Sequence, residues 1–140
     1  GGGTGVFCEI AAGLGKDVTY LDIPGRPYEF ARWRFEKYGI PVRMLQTVPG
    51  VLELHETYDI VFTDAVLEHL DDPYMPCATL SAHLAPGGLF IMLVDLSGEE
   101  EDMPMHKDVD VVKLHATLEE AGLRCLQGRH TFGSIWEKPR

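Results

Sequence analysis

Two short and almost uninterrupted apolar runs, residues 58–63 (YDIVFT) and 89–94 (LFIMLV), constrain the fold more than any other feature of the chain. Runs of this length and composition are typical of strands whose two sheet faces are both covered by helices. Segments in which apolar residues recur at helical spacing alternate with such strands along the chain. The pattern therefore predicts an α/β fold with a doubly wound, mostly parallel sheet.

The other elements follow from periodicity and from turn residues. Further strands are predicted at residues 18–21, 42–45, 123–127 and 131–137, of which the last two form an antiparallel pair. Helices are predicted at about residues 6–14, 27–38, 73–84 and 109–121. In the second helix we expect an inward-facing stripe formed by Tyr28, Ala31, Phe35 and Tyr38. Pro86-Gly87-Gly88 predicts a turn, and residues 48–56 fit no regular element.

Length and charge exclude several classes of protein. A chain of 140 residues fits one domain with its own hydrophobic core, so we expect one domain over residues 1–140. The net charge is −10 with only 12 Lys and Arg residues, which argues against a nucleic-acid partner. No apolar run approaches the roughly 20 residues of a membrane-spanning helix. No basic and apolar leader resembles an export signal.

The cysteines indicate the redox environment. Cys8, Cys77 and Cys125 are odd in number and lack the CxxC spacing of metal and redox sites. Each is flanked by apolar residues, so we expect buried free thiols. A reducing, cytoplasmic setting follows from that expectation.

The chain opens on a glycine loop, Gly1-Gly2-Gly3-Thr4-Gly5, that enters the first predicted helix. Glycines let a ligand approach the backbone closely, and the helix start offers N–H groups to a carboxylate or phosphate. Asp22 ends the next strand, where a carboxylate can accept both ribose hydroxyls of an adenosine. The loop and the acid together predict a cofactor that contains a nucleoside.

Two common nucleotide fingerprints do not fit this loop. The dinucleotide motif needs Gly or Ala at its last position, but Val6 or Cys8 stands there, depending on which glycine starts the motif. A phosphate-binding P-loop would need Gly-Lys-Ser or Gly-Lys-Thr after the glycines, and that sequence is absent. The sequence therefore disfavours an NAD-dependent oxidoreductase and excludes a P-loop nucleotidase.

Four blocks in order resemble the class I S-adenosylmethionine-dependent methyltransferases, particularly those with small-molecule substrates. The blocks are GGGTG (1–5), VTYLDIPG (18–25), YDIVFTDAVLEHLDDP (58–73) and LAPGGLFIMLV (84–94). The resemblance covers nearly the whole chain. It implies a Rossmann-like fold, S-adenosyl-L-methionine as the cofactor and a small-molecule methyl acceptor, with oxygen preferred as the acceptor atom.

The resemblance also implies roles for individual residues. Gly1, Gly3 and Gly5 would line the methionine and ribose part of the cofactor, and Asp22 would bind the ribose hydroxyls. Ile23 would lie against the adenine, and Gln46 or Thr47 stands where the family often bonds the adenine amine. Thr63 and Asp64, at the end of the fourth strand of the complete family fold, would contact the methionine end.

An oxygen acceptor with a high pKa would benefit from a general base. His69, in the loop after residues 58–63, and His106, in the loop after residues 89–94, are the candidate catalytic residues. Some relatives bind a divalent ion through an ExxEH motif, but Ala65 stands here in place of its first acid. No metal site is therefore expected, and the acidic residues 99–102 are interpreted as a solvated loop that covers the acceptor.

In this family the glycine loop follows a first strand in the middle of the sheet, and residues 1–5 leave no room for that strand. We therefore interpret the sequence as a methyltransferase core that lacks its amino-terminal strand. Without a central strand, its two neighbours would expose unpaired backbone groups. The chain alone is expected to be less stable than a complete domain, and to form a homodimer through sheet or apolar faces as one form of compensation.

Two interpretations remain open besides the leading one, methyl transfer to a small acceptor. The first is a non-catalytic domain that keeps the fold for binding or assembly, and the second is the disfavoured oxidoreductase. The acceptor itself is not encoded in any motif, because one fold serves many substrates.

Overall fold

The computed structural model describes residues 1–48, 50–95, 104–129 and 131–140. The chain divides into two compact units, Gly1–Glu53 and Leu54–Arg140. Each unit holds one sheet and its own hydrophobic core. The acidic residues 99–102, interpreted above as a covering loop, lie outside the described residues.

The first unit consists of two helices and two strands: α1 (Val6–Gly13), β1 (Val18–Asp22), α2 (Arg26–Tyr38) and β2 (Val42–Gln46). The two strands are parallel, and Asp22 pairs with Gln46 at their carboxyl ends. All four elements lie within about two residues of the bounds that the sequence predicts. The register therefore places the ends of both strands, with the residues that follow them, at one edge of the sheet.

The core of the first unit is a cluster of Tyr20, Tyr28, Ala31 and Phe35. The ring of Tyr20 lies edge-on to those of Tyr28 and Phe35, with centroids 5.7 Å and 5.9 Å away. Three of the four residues of the predicted α2 stripe are thus buried. Tyr38 is 60% exposed, so the prediction for this residue is wrong. It is the last helical residue, and its ring packs edge-on against Trp33 on the outer surface.

The second unit contains four strands: β3 (Tyr58–Asp64), β4 (Leu84–Leu93), β5 (Arg124–Gln127) and β6 (Gly133–Glu137). Its helices are a short 3₁₀ helix (Leu67–His69), α3 (Tyr74–Ala82) and α4 (Val111–Glu120). The strand order is β3-β4-β6-β5, with β3 and β4 parallel and the last two strands antiparallel. The predicted α/β class, the parallel strands and the antiparallel pair at the carboxyl terminus are confirmed.

The predicted turn at Pro86-Gly87-Gly88 is an irregularity inside β4. Leu84 pairs with Tyr58 and Leu89 with Ile60, so the intervening residues bulge from the ladder. Gly87 has φ +82°, and its N–H donates to Lys138 O at 2.7 Å. A Cβ on Gly88 would lie 2.8 Å from Ala85 O and 3.1 Å from Asp59 O. The glycines therefore let one strand absorb extra residues, as in other β-bulges.

The core of the second unit lies on one face of its sheet. Val61 of β3 is 8% exposed and packs in a cluster with Leu114 and Leu118 of α4. Ile60 and Phe62 point to the opposite face and are 58% and 37% exposed. Alternate strand residues face opposite ways, and the described helices of the second unit bury only the Val61 side.

Each parallel strand pair leaves a strand edge open among the described residues. Within the described residues, β1 pairs with β2 and β3 pairs with β4, which leaves the second edge of β1 and of β3 without a strand partner. An unpaired edge exposes backbone N–H and C=O groups. None of the described helices is both long and apolar enough to cross a membrane.

Cys77 of α3 is fully buried, and burial raises the pKa of its thiol to about 12. The thiolate is the reactive form, so a shift of this size lowers its fraction at pH 8 roughly a thousandfold. We expect iodoacetamide to alkylate Cys77 only after unfolding, whereas the half-buried Cys125 reacts in the native protein. Mass spectrometry of native and urea-unfolded samples measures this. Equal labelling of both residues in the native state would contradict it.

Candidate functional site

The glycine loop and Asp22 are joined directly. The Gly3 N–H donates to Asp22 Oδ2 at 2.9 Å, and the N–H groups of Gly1 and Gly2 donate to Leu21 O at 2.8 Å and 2.9 Å. The end of β1 therefore holds the loop through both backbone and side chain. The two features that predict a nucleoside cofactor lie in one corner of the first unit, which we call the loop–acid corner (residues 1–5 and 22–23).

Tyr20 binds both parts of this corner through its hydroxyl, and the sequence did not predict this role. Its hydroxyl lies 2.8 Å from Gly3 O and 3.1 Å from Asp22 Oδ2, while its ring is only 1% exposed. Burial, with the nearby Asp22 carboxylate as the second cause, raises the pKa of the phenol far above its ordinary value. The hydroxyl thus keeps its proton and orients the carboxylate. Its position two residues before Asp22 on one strand face was the available signal.

The predicted loop glycines differ in how much space a side chain would find at their positions. A Cβ on Gly5 would lie 2.4 Å from the Phe35 ring, and its φ of +78° also favours glycine. A Cβ on Gly3 would meet no described atom within 4 Å, although φ is +54°. Gly2, absent from the prediction, lies so close to Tyr20 that a Cβ would be 2.3 Å from its ring. Gly5 and Gly2 are therefore needed for packing, and Gly3 borders open space.

The residues expected around an adenine lie beside Asp22. Ile23 follows it, donates its N–H to Asp22 Oδ1 at 2.8 Å and is 48% exposed. Gln46 is exposed opposite Asp22 in the β1–β2 register, and the Thr47 N–H donates to Asp22 O at 3.0 Å. The structure therefore brings six predicted residues together in the first unit: Gly1, Gly3, Gly5, Asp22, Ile23 and Gln46.

The second unit has a cavity of about 580 Å³ at the carboxyl ends of β3 and β4. Its lining consists of Asp64, Ala65, Glu68, Leu93, Val94, Asp95 and Phe132. Asp64 was predicted from the sequence, and Thr63 precedes it with an Oγ1 that is buried and lacks a hydrogen-bond partner among the described residues. Carboxyl ends of parallel strands are where ligands bind in α/β folds, and the cavity lies there.

Ala65, at the mouth of this cavity, has φ +49° and is the one non-glycine residue of the described chain with a positive φ. Its N–H donates to Leu93 O at 3.2 Å, which ties the turn to the end of β4. A left-handed backbone costs about 1–2 kcal/mol for a residue with a Cβ. Such strain commonly accumulates at binding sites.

Glu68 is the most deeply buried of the acids that line the cavity, with no exposed surface. Its Oε1 accepts from the Asp95 N–H at 3.1 Å, and its backbone O accepts from the Lys107 N–H at 2.8 Å. Its Oε2 is buried without a hydrogen-bond partner in the part of the chain that the structure describes. Glu68 therefore connects the 3₁₀ helix to both sides of the segment after β4.

His69 and His106, predicted from separate loops, lie against each other with ring centroids 4.8 Å apart. His69 Nδ1 is 3.3 Å from Met105 O, and an ion pair joins Lys107 to Asp71. His106 Nδ1 is 3.8 Å from Asp95 Oδ2. The structure thus brings the two histidines together with Glu68, which the sequence reasoning considered only as part of a local motif.

Comparison with known proteins identifies the family of the chain. A model of the methyltransferase domain matches residues 1–138, so the chain belongs to this family of enzymes, whose methyl donor is S-adenosylmethionine. A ubiquinone biosynthesis O-methyltransferase from Paramagnetospirillum magneticum is 33% identical over 91 residues, which are 65% of this chain and 36% of that protein. The chain therefore matches well under half the length of this curated relative.

Solved structures share the fold. A S-adenosylmethionine-dependent methyltransferase from Clostridium acetobutylicum aligns with a TM-score of 0.79 at 12% identity, covering 99% of this chain and 82% of that one. The cyclase SpnF aligns with a TM-score of 0.73 at 18% identity, covering 91% and 51%. Likeness at these identities confirms the Rossmann-like methyltransferase architecture, and only the architecture.

Proposed function

We propose that this chain binds S-adenosylmethionine and transfers its methyl group to a hydroxyl oxygen of a small molecule. The observation that carries the proposal is the bond from the Gly3 N–H to Asp22 Oδ2, because it joins the loop and the acid that a nucleoside cofactor requires. Membership of the methyltransferase family identifies the cofactor class. The printed name of the curated relative, an O-methyltransferase, favours oxygen as the acceptor atom.

The loop–acid corner has a free acceptor position for a ribose. A carboxylate offers about four lone-pair sites. Asp22 uses two on Oδ2, for Gly3 N and Tyr20 Oη, and one on Oδ1, for Ile23 N. One site on Oδ1 therefore remains for a ribose hydroxyl. The exposed Ile23 side chain would pack against the adenine, and the exposed Gln46 amide would bond its edge.

The methionine end of the cofactor is assigned to three groups. The start of α1 carries the partial positive charge of a helix N-terminus, and no side chain of the described residues caps it. We assign the methionine carboxylate to this end and to Gly1, Gly3 and Gly5. From the family resemblance alone, we assign Thr63 and Asp64 of the second unit to the methionine amino group.

The residues that line the cavity restrict the charge and polarity of the acceptor. Asp64, Glu68 and Asp95 supply its polar lining, Leu93, Val94 and Phe132 supply apolar lining, and neither Lys nor Arg is among its described lining residues. An anionic substrate group would be repelled by this lining and left without a partner. We therefore propose a neutral or cationic acceptor with an apolar or aromatic body and a free hydroxyl.

The chemistry is an in-line displacement. The acceptor oxygen attacks the methyl carbon, the carbon–sulfur bond breaks, and the bonding electrons leave with S-adenosylhomocysteine. The acceptor proton must leave as the new bond forms, and His69 and His106 are the groups proposed to act on it. Holding donor and acceptor collinear would supply much of the acceleration, besides the removal of the proton.

Ligand binding tests the cofactor assignment. We expect S-adenosylmethionine and S-adenosylhomocysteine to bind the purified chain with micromolar dissociation constants by titration calorimetry, and NAD to give no heat of binding. Binding of the methyl donor without turnover of any hydroxylated acceptor would support the non-catalytic alternative. Binding of NAD in place of the methyl donor would overturn the proposal in favour of an oxidoreductase.

A further inference from the structure

Three potential metal ligands converge beside the cavity, on residues that come from two separate loops. One donor atom each from Glu68, His69 and His106 lies within 4.8 Å of the others. From these contacts we propose that the three side chains bind one divalent first-row transition-metal ion of the Zn²⁺ class. The sequence pattern pointed away from a metal because it considered only neighbouring residues, and Ala65 is not an acid.

Two buried atoms in the cluster lack hydrogen-bond partners among the described residues: Glu68 Oε2 and His106 Nδ1. Glu68 has no exposed surface, and only 14% of the His106 side chain is exposed. Leaving a buried polar atom unsatisfied costs about 1–3 kcal/mol, more for a charged group. A cation bound between the Glu68 carboxylate and the His106 imidazole would give both buried atoms a partner.

The hydrogen-bond partner of His69 suits a metal ligand. Its Nδ1 faces Met105 O at 3.3 Å, and a carbonyl oxygen only accepts, so Nδ1 donates its N–H there. This contact leaves Nε2 as the nitrogen that can bind an ion. Metal-binding histidines commonly donate their second N–H to a backbone carbonyl or a carboxylate, which orients the ring. Asp95 Oδ2, 3.8 Å from His106 Nδ1, lies near enough to reach the same ion after a small side-chain rotation.

The backbone holds the two loops together independently of any ion. The Lys107 N–H donates to Glu68 O at 2.8 Å, and the Lys107 ammonium pairs with Asp71. Glu68 Oε1 accepts from the Asp95 N–H at 3.1 Å. Because these ties flank all three ligands, the cluster is preorganised. Bonds of about 2.1 Å would draw the donor atoms closer than 4.8 Å, which rotations of the exposed His69 ring allow.

The ligand types select the metal. Two imidazoles and one carboxylate suit Zn²⁺, Fe²⁺ or Co²⁺, whereas Mg²⁺ prefers oxygen ligands and keeps most of its waters. Three protein ligands leave positions for water or a substrate oxygen. If the proposed function holds, on which this clause rests, the ion would lower the pKa of the acceptor hydroxyl beside the cavity. This effect would replace direct proton removal by His69 and His106, because the ion would occupy their lone pairs.

The test is direct titration of the metal-free chain with Zn²⁺ by calorimetry, repeated with Mg²⁺. We expect one Zn²⁺ per chain and Mg²⁺ at least 100-fold weaker. His106→Ala and Glu68→Gln should each weaken Zn²⁺ binding about 100-fold, since even indirect partners of a metal site contribute 10–100-fold. The control is His55→Ala, which removes an exposed histidine outside the cluster and should leave the titration unchanged.

Cobalt gives a second readout. Co²⁺ bound through histidine nitrogens should produce visible absorption bands that disappear in His106→Ala and persist in His55→Ala. Glu68→Gln keeps the size of the side chain and its acceptor for the Asp95 N–H, so circular dichroism should show an unchanged fold. Absence of Zn²⁺ binding, equal affinity for Mg²⁺, or undiminished binding in His106→Ala would each overturn the proposal.

The outcome separates this inference from the proposed function. Binding of S-adenosylhomocysteine is assigned to the loop–acid corner, so it should persist with a chelator present. Loss of Zn²⁺ binding with cofactor binding retained would reject the metal site alone. Zn²⁺ binding without any cofactor binding would reject the proposed function and leave the metal site standing.

Discussion

Replacing Asp22 with Ala is expected to weaken binding of S-adenosylhomocysteine about 100-fold, measured by titration calorimetry. A hydrogen bond to a charged group contributes about 1.5–3 kcal/mol, and each 1.4 kcal/mol is a tenfold change in affinity. The variant also deprives the Gly3 N–H of its acceptor and the Tyr20 hydroxyl of one of its two acceptors, so the loop is held less firmly. Both effects act in the same direction.

The matched control is Asp17→Ala in the same unit. The Asp17 side chain is 93% exposed and lies 4.0 Å from Arg43. Asp17→Ala therefore removes the same charge as Asp22→Ala without changing a contact of the glycine loop. Cofactor affinity in this control should stay within about twofold of the wild type, because an isolated exposed ion pair contributes little. Thermal unfolding of both variants distinguishes a lost contact from a lost fold. A folded Asp22→Ala protein that binds as well as the wild type would remove the basis of the cofactor assignment.

Tyr20→Phe refines the same experiment. Phe retains the ring that packs on Tyr28 and Phe35 but removes the hydroxyl that contacts Gly3 and Asp22. We expect an intermediate loss of affinity, because the ligand keeps its carboxylate but meets a less ordered loop. Affinity equal to that of the wild type would show that the Gly3–Asp22 bond orients the loop without this hydroxyl.

Trp136→Ala is expected to destabilise the protein by about 3–5 kcal/mol. Trp136 has no exposed surface, pairs with Phe90 and Cys125 on the two neighbouring strands, and donates its indole N–H to Ser134 Oγ at 2.9 Å. The variant would leave a large cavity between the sheet and α4, where the His115 ring lies 4.9 Å from the indole. Since a typical domain has a free energy of unfolding of about 5–15 kcal/mol in total, this loss would remove a large part of the stability of the second unit.

Urea unfolding followed by circular dichroism measures this loss. The chain has two tryptophans, and Trp33→Ala supplies the control because Trp33 is 48% exposed. That variant should lose less than about 1 kcal/mol, mainly its contact with the Lys37 ammonium. It also makes Trp136 the one remaining indole, whose emission should shift to longer wavelength on unfolding. Equal destabilisation by both variants would contradict the assignment of Trp136 to the core.

Local patterns predicted most of the elements and the proximity of the glycine loop to Asp22. The bounds of β1, α2 and the antiparallel pair follow from periodicity and glycine stops, which depend on neighbouring residues alone. The contacts of Tyr20 with Gly3 and of Glu68 with Asp95 were not predicted, because each joins residues distant in the chain. The one signal for Tyr20 was its position two residues before Asp22 on the same strand face. An apolar run also does not reveal that Ile60 and Phe62 lie on the face of β3 opposite Val61 and its helices.

His69 and His106 are neighbours in the structure, which the sequence did not predict. Because the two rings lie together, His106→Ala tests both the proposal of proton removal and the proposal of metal binding.

The left-handed backbone at Ala65 limits how this position can evolve. Gly, Asn and Asp accept positive φ most readily, whereas β-branched residues are severely disfavoured there. Genetic drift at position 65 is therefore confined to a few small or short polar side chains. One of them, Asp, would add a further carboxylate at the mouth of the cavity, so a single nucleotide change in an alanine codon could alter the charge that an incoming substrate meets.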